Sequence, residues 1–208
     1  PPTFTEKPED VTVPVNGSVI FRCNASGIPA PQIRWTVNGQ DPSTYVDGVR
    51  KILRGNIRWT VNGQDPSTYV DGVRKILRGN SVAITDSGVY ECTATNPFGS
   101  RKASGRLLVR RRTSIVLAPI DTQVYENQVV KFVCTAETDP MELDNLRITW
   151  YKDDNLIMPE VTPRIQKVWF DYSLVLSGAQ PRDTGQYRCN ASNGLDYAGS
   201  FCCALGTR

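Results

Sequence analysis

The stretch Asp86-Ser87-Gly88-Val89-Tyr90-Glu91-Cys92 has a counterpart later in the chain, Asp183-Thr184-Gly185-Gln186-Tyr187-Arg188-Cys189. Both follow the pattern Asp-x-Gly-x-Tyr-x-Cys, and each is preceded by a Cys and then a Trp. These preceding residues are Cys23 and Trp35 in the first case and Cys134 and Trp150 in the second. A frame that occurs twice in this way predicts two domains of the same fold.

The frame resembles that of immunoglobulin domains, which are sandwiches of two antiparallel sheets. The resemblance implies disulfide bonds Cys23–Cys92 and Cys134–Cys189 across the two cores. It also implies four core aromatic residues, a Trp on each bridge and a Tyr at each corner: Trp35, Tyr90, Trp150 and Tyr187. A chain of 208 residues leaves the usual length for each sandwich. We therefore expect an all-β fold of two tandem immunoglobulin-like (I-set) β-sandwiches, residues 1–112 and 113–208, joined by a short linker.

Short runs of alternating apolar residues support an all-β chain. Val19, Phe21 and Cys23 occupy every second position, as in a strand with one face on a core. No long window has apolar residues at helical spacing, so helix is expected only as single turns. Arg164 is expected to form a structural ion pair with Asp183, whereas Asp86 has two candidate partners, Arg50 and Arg74.

Three stretches carry a closer resemblance. Residues 27–35, Gly-Ile-Pro-Ala-Pro-Gln-Ile-Arg-Trp, and residues 86–96 are similar to I-set immunoglobulin domains of cell-adhesion receptors. The acidic residues 138–153 resemble a late domain of the L1/neuroglian and contactin families. The resemblance implies a module of a neural-type cell-surface adhesion receptor that binds a protein partner homophilically or heterophilically. Two alternatives stay open: ligand- or heparan-sulfate-binding domains of a receptor tyrosine kinase or phosphatase, and a structural spacer pair.

Cysteine use and three Asn-x-Ser sequons indicate an extracellular chain. The sequons begin at Asn16, Asn24 and Asn190, and the last two directly follow a frame cysteine. Strand alternation points these two side chains away from the core, where a glycan fits. Disulfides persist in oxidising compartments, although cytosolic muscle proteins contain reduced sandwiches of this shape. No apolar run is long enough to span a bilayer, so we expect an ectodomain fragment, or alternatively a secreted protein, without direct membrane insertion.

The net charge of +3 is unevenly distributed. Residues 1–112 contain 16 Lys and Arg against 9 Asp and Glu, whereas residues 113–208 contain 8 against 12. The densest basic run is Arg110-Arg111-Arg112, at the expected domain junction. Clustered arginines bind sulfate and carboxylate groups, so this run is a candidate contact for heparan sulfate or an acidic partner. The alternative, which we favour, is a solvated linker.

Residues 33–56 and 57–80 are identical at all 24 positions. Repeat architectures stack several diverged copies, whereas one sandwich needs only one copy of this block. An undiverged copy is more typical of an engineered chain, an aberrant transcript or an assembly error than of a functional adaptation. We expect Trp35 rather than Trp59 to fill the core, and most of residues 41–73 to form an edge hairpin or a disordered loop.

Two further irregularities are apparent. Ile84 is expected to be the strand E residue equivalent to Leu176, and only Thr85 separates it from Asp86, so about five residues of the next turn are expected to be missing by comparison with the second domain. The chain also ends with vicinal Cys202-Cys203 where a last strand is due. Pairing with another chain and metal binding are alternatives there, but a non-native tail is the expectation.

The residue types argue against catalysis. The chain contains no His, which excludes Ser-His chemistry. It has no phosphate-binding Gly loop after a strand and no zinc spacing. We therefore expect no enzyme activity, no catalytic residue, no metal, no cofactor and no nucleic-acid partner.

Overall fold

The computed structural model describes residues 1–40, 60–61, 76–79, 81–161, 163–200 and 203–207. The expectations about Arg50, Trp59, Arg74 and Cys202 lie outside these residues. The chain divides into two compact units, Pro1–Arg111 and Arg112–Arg208. The described part of the chain is all-β, and it contains no helix long and apolar enough to cross a bilayer.

The described residues of the first unit form nine strands. Their bounds are β1 Thr3–Glu6, β2 Val11–Pro14, β3 Val19–Arg22, β4 Asn24–Ser26, β5 Gln32–Val37, β6 Thr60–Val61, β7 Ile76–Gly79, β8 Gly88–Asn96 and β9 Gly99–Arg110. One sheet has the order β2-β9-β8-β5, with β2 parallel to β9. The facing sheet has the order β3-β7-β6, and β1 pairs with β4 beside it. This arrangement is a two-layer sandwich.

The second unit repeats the plan. Its strands are β10 Ser114–Leu117, β11 Thr122–Val124, β12 Val130–Phe132, β13 Thr135–Glu137, β14 Arg147–Lys152, β15 Asn155–Leu156, β16 Ile165–Lys167, β17 Leu174–Leu176, β18 Gly185–Ser192, β19 Tyr197–Gly199 and β20 Cys203–Thr207. One sheet has the order β11-β20-β18-β14-β15, with β19 also on β18, and the other has the order β12-β17-β16. The pairing of β11 with β20 is parallel, like that of β2 with β9.

Helix in the described residues is of the 3-10 type, at Ile84–Asp86, Pro140–Asn145, Pro159–Val161 and Pro181–Asp183. The longest, Pro140–Asn145, has six residues and therefore exceeds the single turns that we expected. Asp139 caps it, because its carboxylate accepts a hydrogen bond from the Met141 N–H.

Strand E of the first unit is not where the sequence suggested. The strand that pairs with β3 is β7, in which Leu77 lies opposite Phe21 and Gly79 opposite Val19. Ile84 instead opens a 3-10 turn. In the second unit Leu176 lies opposite Val130, just as Gly79 lies opposite Val19 in the first unit, so Leu176 and Gly79 are equivalent. Six residues, 80–85 and 177–182, then precede Asp86 and Asp183 alike. The expected shortening of this turn was therefore wrong.

The last strand that the sequence pattern did not reveal is present in the second unit. Residues 203–207 form β20, which lies between β11 and β18 in the sheet. Cys203 lies opposite Tyr187 and is 1% exposed, and its thiol donates a hydrogen bond to the Tyr187 carbonyl. Leu205, also 1% exposed, lies opposite Gly185. The segment is the last strand of the second sandwich.

The two identical blocks contribute different strands. The Thr36-Val37 pair of the first copy ends β5, which pairs with β8. The same dipeptide in the second copy, Thr60-Val61, forms β6 and pairs with β7 on the opposite sheet. The rest of the region for which we expected an edge hairpin or a loop lies outside the described residues.

Candidate binding surfaces

The frame residues form the two cores and are closed to partners. Disulfides join Cys23 to Cys92 and Cys134 to Cys189. Trp35 lies opposite Cys92 and Trp150 opposite Cys189, in the same register in each unit. The four aromatic side chains Trp35, Tyr90, Trp150 and Tyr187 are at most 2% exposed. Binding must therefore use residues outside the frame.

Each core tyrosine holds the turn before its strand. Tyr90 donates a hydrogen bond to the Asp86 carbonyl at 2.8 Å, and Tyr187 donates one to the Asp183 carbonyl at 2.7 Å. Burial raises the pKa of the Tyr187 phenol, with Asp183 and Asp153 contributing. Tyr187 is therefore a neutral structural donor, and Tyr90 makes the equivalent hydrogen bond in the first unit.

The two buried aspartates at these corners differ in their partners. Asp183 accepts hydrogen bonds from the Gln180 N–H and from Arg164, whose N–O distance is 3.1 Å. Burial alone would raise the pKa of Asp183, but Arg164 and the Gln180 N–H bring it below its ordinary value. Burial raises the pKa of Asp86, and the Ala83 N–H offsets this only in part. The expected Arg164–Asp183 pair is confirmed.

Among the three sequon asparagines, Asn16 is exposed and Asn24 and Asn190 are half-buried. Asn16 is exposed at a left-handed backbone position (φ 64°) in the turn after β2. Asn24 opens β4, and its Oδ1 accepts the Ala25 N–H, which leaves the amide nitrogen available for a glycan. Asn190 is half-buried in the middle of β18, between Thr149 and Gly199.

The basic run lies at the division between the units. Arg110 ends β9 and is half-buried, and its carbonyl accepts the Val15 N–H at 2.8 Å. Arg111 and Arg112 are exposed. The division between the two compact units falls between these two residues.

The second unit has an exposed apolar cluster beside a cavity. We use the name for Leu156, Met158, Trp169 and Phe170. Trp169 is 84% exposed and Phe170 is 69% exposed, and their rings meet edge to face with centroids 5.8 Å apart. Leu156, Met158 and Trp169 line a cavity of about 510 Å³. Lys167 and Tyr172 also line it.

The loop that presents Trp169 and Phe170 is held by polar contacts. It joins β16 to β17, and the Val168 N–H donates to the Ser173 carbonyl at 2.8 Å. The Trp150 indole N–H donates to the Tyr172 carbonyl at 2.8 Å. Asp171 accepts from Lys131 at 2.9 Å and from the Ser173 N–H; these bonds, chiefly that of Lys131, lower the pKa of Asp171 to about 2. The two aromatic side chains are therefore presented by an ordered loop.

This cluster lies outside the motifs from which the fold was predicted. A signal was present, because Val168-Trp169-Phe170-Asp171-Tyr172 places three aromatic residues in a short connection between strands. Alternation cannot turn all of them toward a core. The contribution of β15 and the following residues to the same cavity is visible only in the folded chain.

Comparisons with known proteins agree with this architecture. The sequence model of the family described as "Immunoglobulin domain" matches residues 1–96 and 113–193. The chain is 31% identical to neuroglian of Drosophila melanogaster over 199 residues, which is 95% of this chain and 13% of that protein. It is 34% identical to human protein sidekick-1 over 188 residues, which is 90% of this chain and 8% of that protein. The chain therefore spans only a small part of these relatives.

A solved structure of Drosophila OTK, extracellular domains 3–5, matches the whole chain with a TM-score of 0.71 at 21% identity. The match covers 62% of that structure. At this identity the likeness concerns the fold alone.

Proposed function

Because this chain belongs to the immunoglobulin domain family, we propose that it is part of the extracellular region of a cell-surface adhesion receptor and acts by protein–protein contact. The proposal places the chain at the cell surface rather than in a secreted protein. The contact is homophilic or heterophilic. It assigns no catalytic step to the chain. The exposed apolar cluster is the observation that carries it.

An extracellular location is supported by covalent chemistry. Each sandwich has an inter-sheet disulfide, a bond that persists in oxidising compartments. We also propose N-linked glycans on Asn16, Asn24 and Asn190, since none of these side chains is needed in a core. Peptide mapping with and without glycosidase treatment tests each position separately.

The apolar cluster is suited to contact with a protein. Exposed aromatic residues beside a cavity are characteristic of binding surfaces, and Trp is enriched among the residues that dominate binding energy. The ordered loop reduces the entropy lost when a partner binds. We propose that Trp169 and Phe170 insert against an apolar patch of the partner, while the cavity between β15 and β16 accepts one of its side chains.

Aggregation of beads coated with the full chain tests the homophilic form of this proposal. Binding of the soluble chain to cells, before and after the cells are treated with protease, tests the heterophilic form. The double variant Trp169→Ser with Phe170→Ser is expected to weaken whichever of these two interactions is observed at least tenfold, because two central contacts are lost. Phe98→Ser is the matched control, because Phe98 is 67% exposed in the first unit.

The outcomes separate the alternatives. Loss with the double variant and retention with Phe98→Ser support the proposed contact. Equal loss with both variants contradicts it, and dispersed beads together with no protease-sensitive binding to cells favour a spacer.

A further inference from the structure

Three cationic side chains lie on the outward face of the four-stranded sheet in the first unit. Arg34 of β5 and Lys102 of β9 lie on either side of Thr93 of β8. Arg106 follows Lys102 by four residues on β9, so both point to the same face. All three are exposed, whereas the neighbouring residues Ile33 and Leu107 are at most 2% exposed. We call Arg34, Lys102 and Arg106 the basic face.

The spacing of these charges follows from sheet geometry. Two strand separations place Arg34 and Lys102 about 10 Å apart, and four residues along a strand place Lys102 and Arg106 about 13 Å apart. The surface between them is formed by the hydrogen-bonded strands β5, β8 and β9. Such an arrangement suits an extended ligand with repeated charges.

Opposing charge on this face is small. Among the described residues, Glu91 is the one carboxylate that β5, β8 and β9 contribute. It accepts from Lys102 at 2.9 Å, and Lys102 remains 66% exposed. Asp10 accepts the backbone N–H of Arg106 at 2.7 Å, at the margin of the face. Half-buried Arg110 extends the same side of β9 and adds positive charge.

Sequon positions distinguish this face from its counterpart in the second unit. Asn16 and Asn24 lie on none of the strands β5, β8 and β9. In the second unit Asn190 occupies the position equivalent to that of Thr93. It lies opposite Thr149, just as Thr93 lies opposite Arg34 in the first unit. The nearby Arg188 pairs with Asp154 at 3.2 Å and lies over the Tyr151 ring. The basic face therefore has no equivalent among the described residues of the second unit.

We propose that the basic face binds a sulfated polysaccharide of the cell surface or extracellular matrix. A planar guanidinium group can donate two hydrogen bonds to a pair of sulfate oxygens, and lysine adds a point charge. A linear polyanion can lie across a row of exposed cations without needing a pocket, and its charge also accelerates encounter. This site lies on another surface from the apolar cluster and adds a second class of partner to the proposed function.

Binding of the full chain to immobilised heparin over a range of salt concentrations tests the proposal. Arg34→Gln and Arg106→Gln are each expected to weaken binding about fivefold at physiological salt. Each is also expected to lower the slope of log affinity against log salt by about 1. Arg22→Gln is the matched control, because Arg22 is exposed on β3 in the other sheet and its loss changes the net charge equally.

Glu91→Gln provides a test that misfolding cannot mimic. The variant removes the carboxylate of the face and releases Lys102, so it is expected to tighten heparin binding about threefold. Weaker or unchanged binding by this variant contradicts the proposal. So does an equal effect of Arg22→Gln and Arg34→Gln, which would indicate attraction by net charge alone.

The probe itself is varied to identify the ligand. Desulfated heparin is expected to lose most of the affinity. Equal binding of desulfated heparin overturns the proposal, as does binding to anionic lipid vesicles without binding to heparin. If Arg34→Gln and Arg106→Gln leave the affinity unchanged while substitution of Arg111 and Arg112 abolishes it, the site is the basic run and the proposed face is wrong.

Discussion

At the residue scale, the buried aspartates show how one motif supports two electrostatic situations. Asp183 and Arg164 form a bidentate pair, in which Arg164 is only partly covered and also donates to the Gly178 carbonyl. The sequence motif predicted this pair because both residues occupy characteristic positions of the fold. The exposed Trp169 and Phe170 escaped prediction because neither belongs to the motif.

Replacing Arg164 with Met is expected to destabilise the second unit by about 2 kcal/mol at neutral pH. The variant leaves the Asp183 carboxylate buried without its cation, which costs about 3–5 kcal/mol in a fully buried pair and less where the arginine contacts water. The double variant with Asp183→Asn is expected to recover much of this loss, because no uncompensated charge remains. Hydrogen exchange of peptides from β18 measures the effect, and β8 in the first unit is the internal control.

The pH dependence of the same variant follows from the direction of the Asp183 shift. The pKa of Asp183 lies below its ordinary value of 3.8 in the folded chain. The contribution of the pair is therefore complete above pH 3.8 and is lost as the pH falls through the folded pKa. The difference between the parent chain and Arg164→Met is expected to shrink below pH 4, and a difference independent of pH would assign the effect to packing.

At the element scale, the alternation of apolar and polar residues in the sequence located the strands that have one clear apolar face. It did not locate the strands that lack such a face. The runs around Phe21, Trp35 and Tyr90 carried enough signal because large side chains recur at every second position. Strand β7 ends on Gly79, and β20 alternates Cys203 and Leu205 with small residues, so neither has the expected pattern. Tertiary pairing with β3, β11 and β18 specifies these strands. The basic face likewise depends on cross-strand register, which sequence alone did not provide.

Leu205→Ala is expected to destabilise the second unit by about 3 kcal/mol, since large-to-small changes at buried leucines cost about 2–5 kcal/mol. Leu205 is 1% exposed and lies between β11 and β18. A chain that ends at Ser200 lacks β20 altogether and is expected to lose protection throughout β18. Val116→Ala is the control, because Val116 on β10 is 63% exposed. Retained protection in the shortened chain would show that β20 is dispensable.

At the scale of the whole molecule, the duplicated block shows that position in the sandwich overrides local sequence. Thr36-Val37 and Thr60-Val61 belong to different sheets although their surroundings are identical in sequence over the 24-residue blocks. The first copy provides β5 beside the Cys92 strand, and the second provides β7 beside β3. The described strands of the two copies therefore lie in different sheets, and β5 and β7 come from different parts of the same block.

Deletion of residues 57–80 tests this division, and deletion of residues 33–56 produces the same shortened sequence. The shortened chain retains one Ile-Arg-Trp-Thr-Val segment for β5 and one Ile-Leu-Arg-Gly segment for β7. It loses only the two-residue edge strand β6 among the described strands. A shorter connection lowers the entropic free-energy cost of closing the loop by less than about 1 kcal/mol. The free energy of unfolding of the first unit is therefore expected to change by no more than about 1 kcal/mol. Hydrogen exchange of β8 measures this against β18, and loss of protection confined to β8 would mean that both copies are needed for the first sandwich to close.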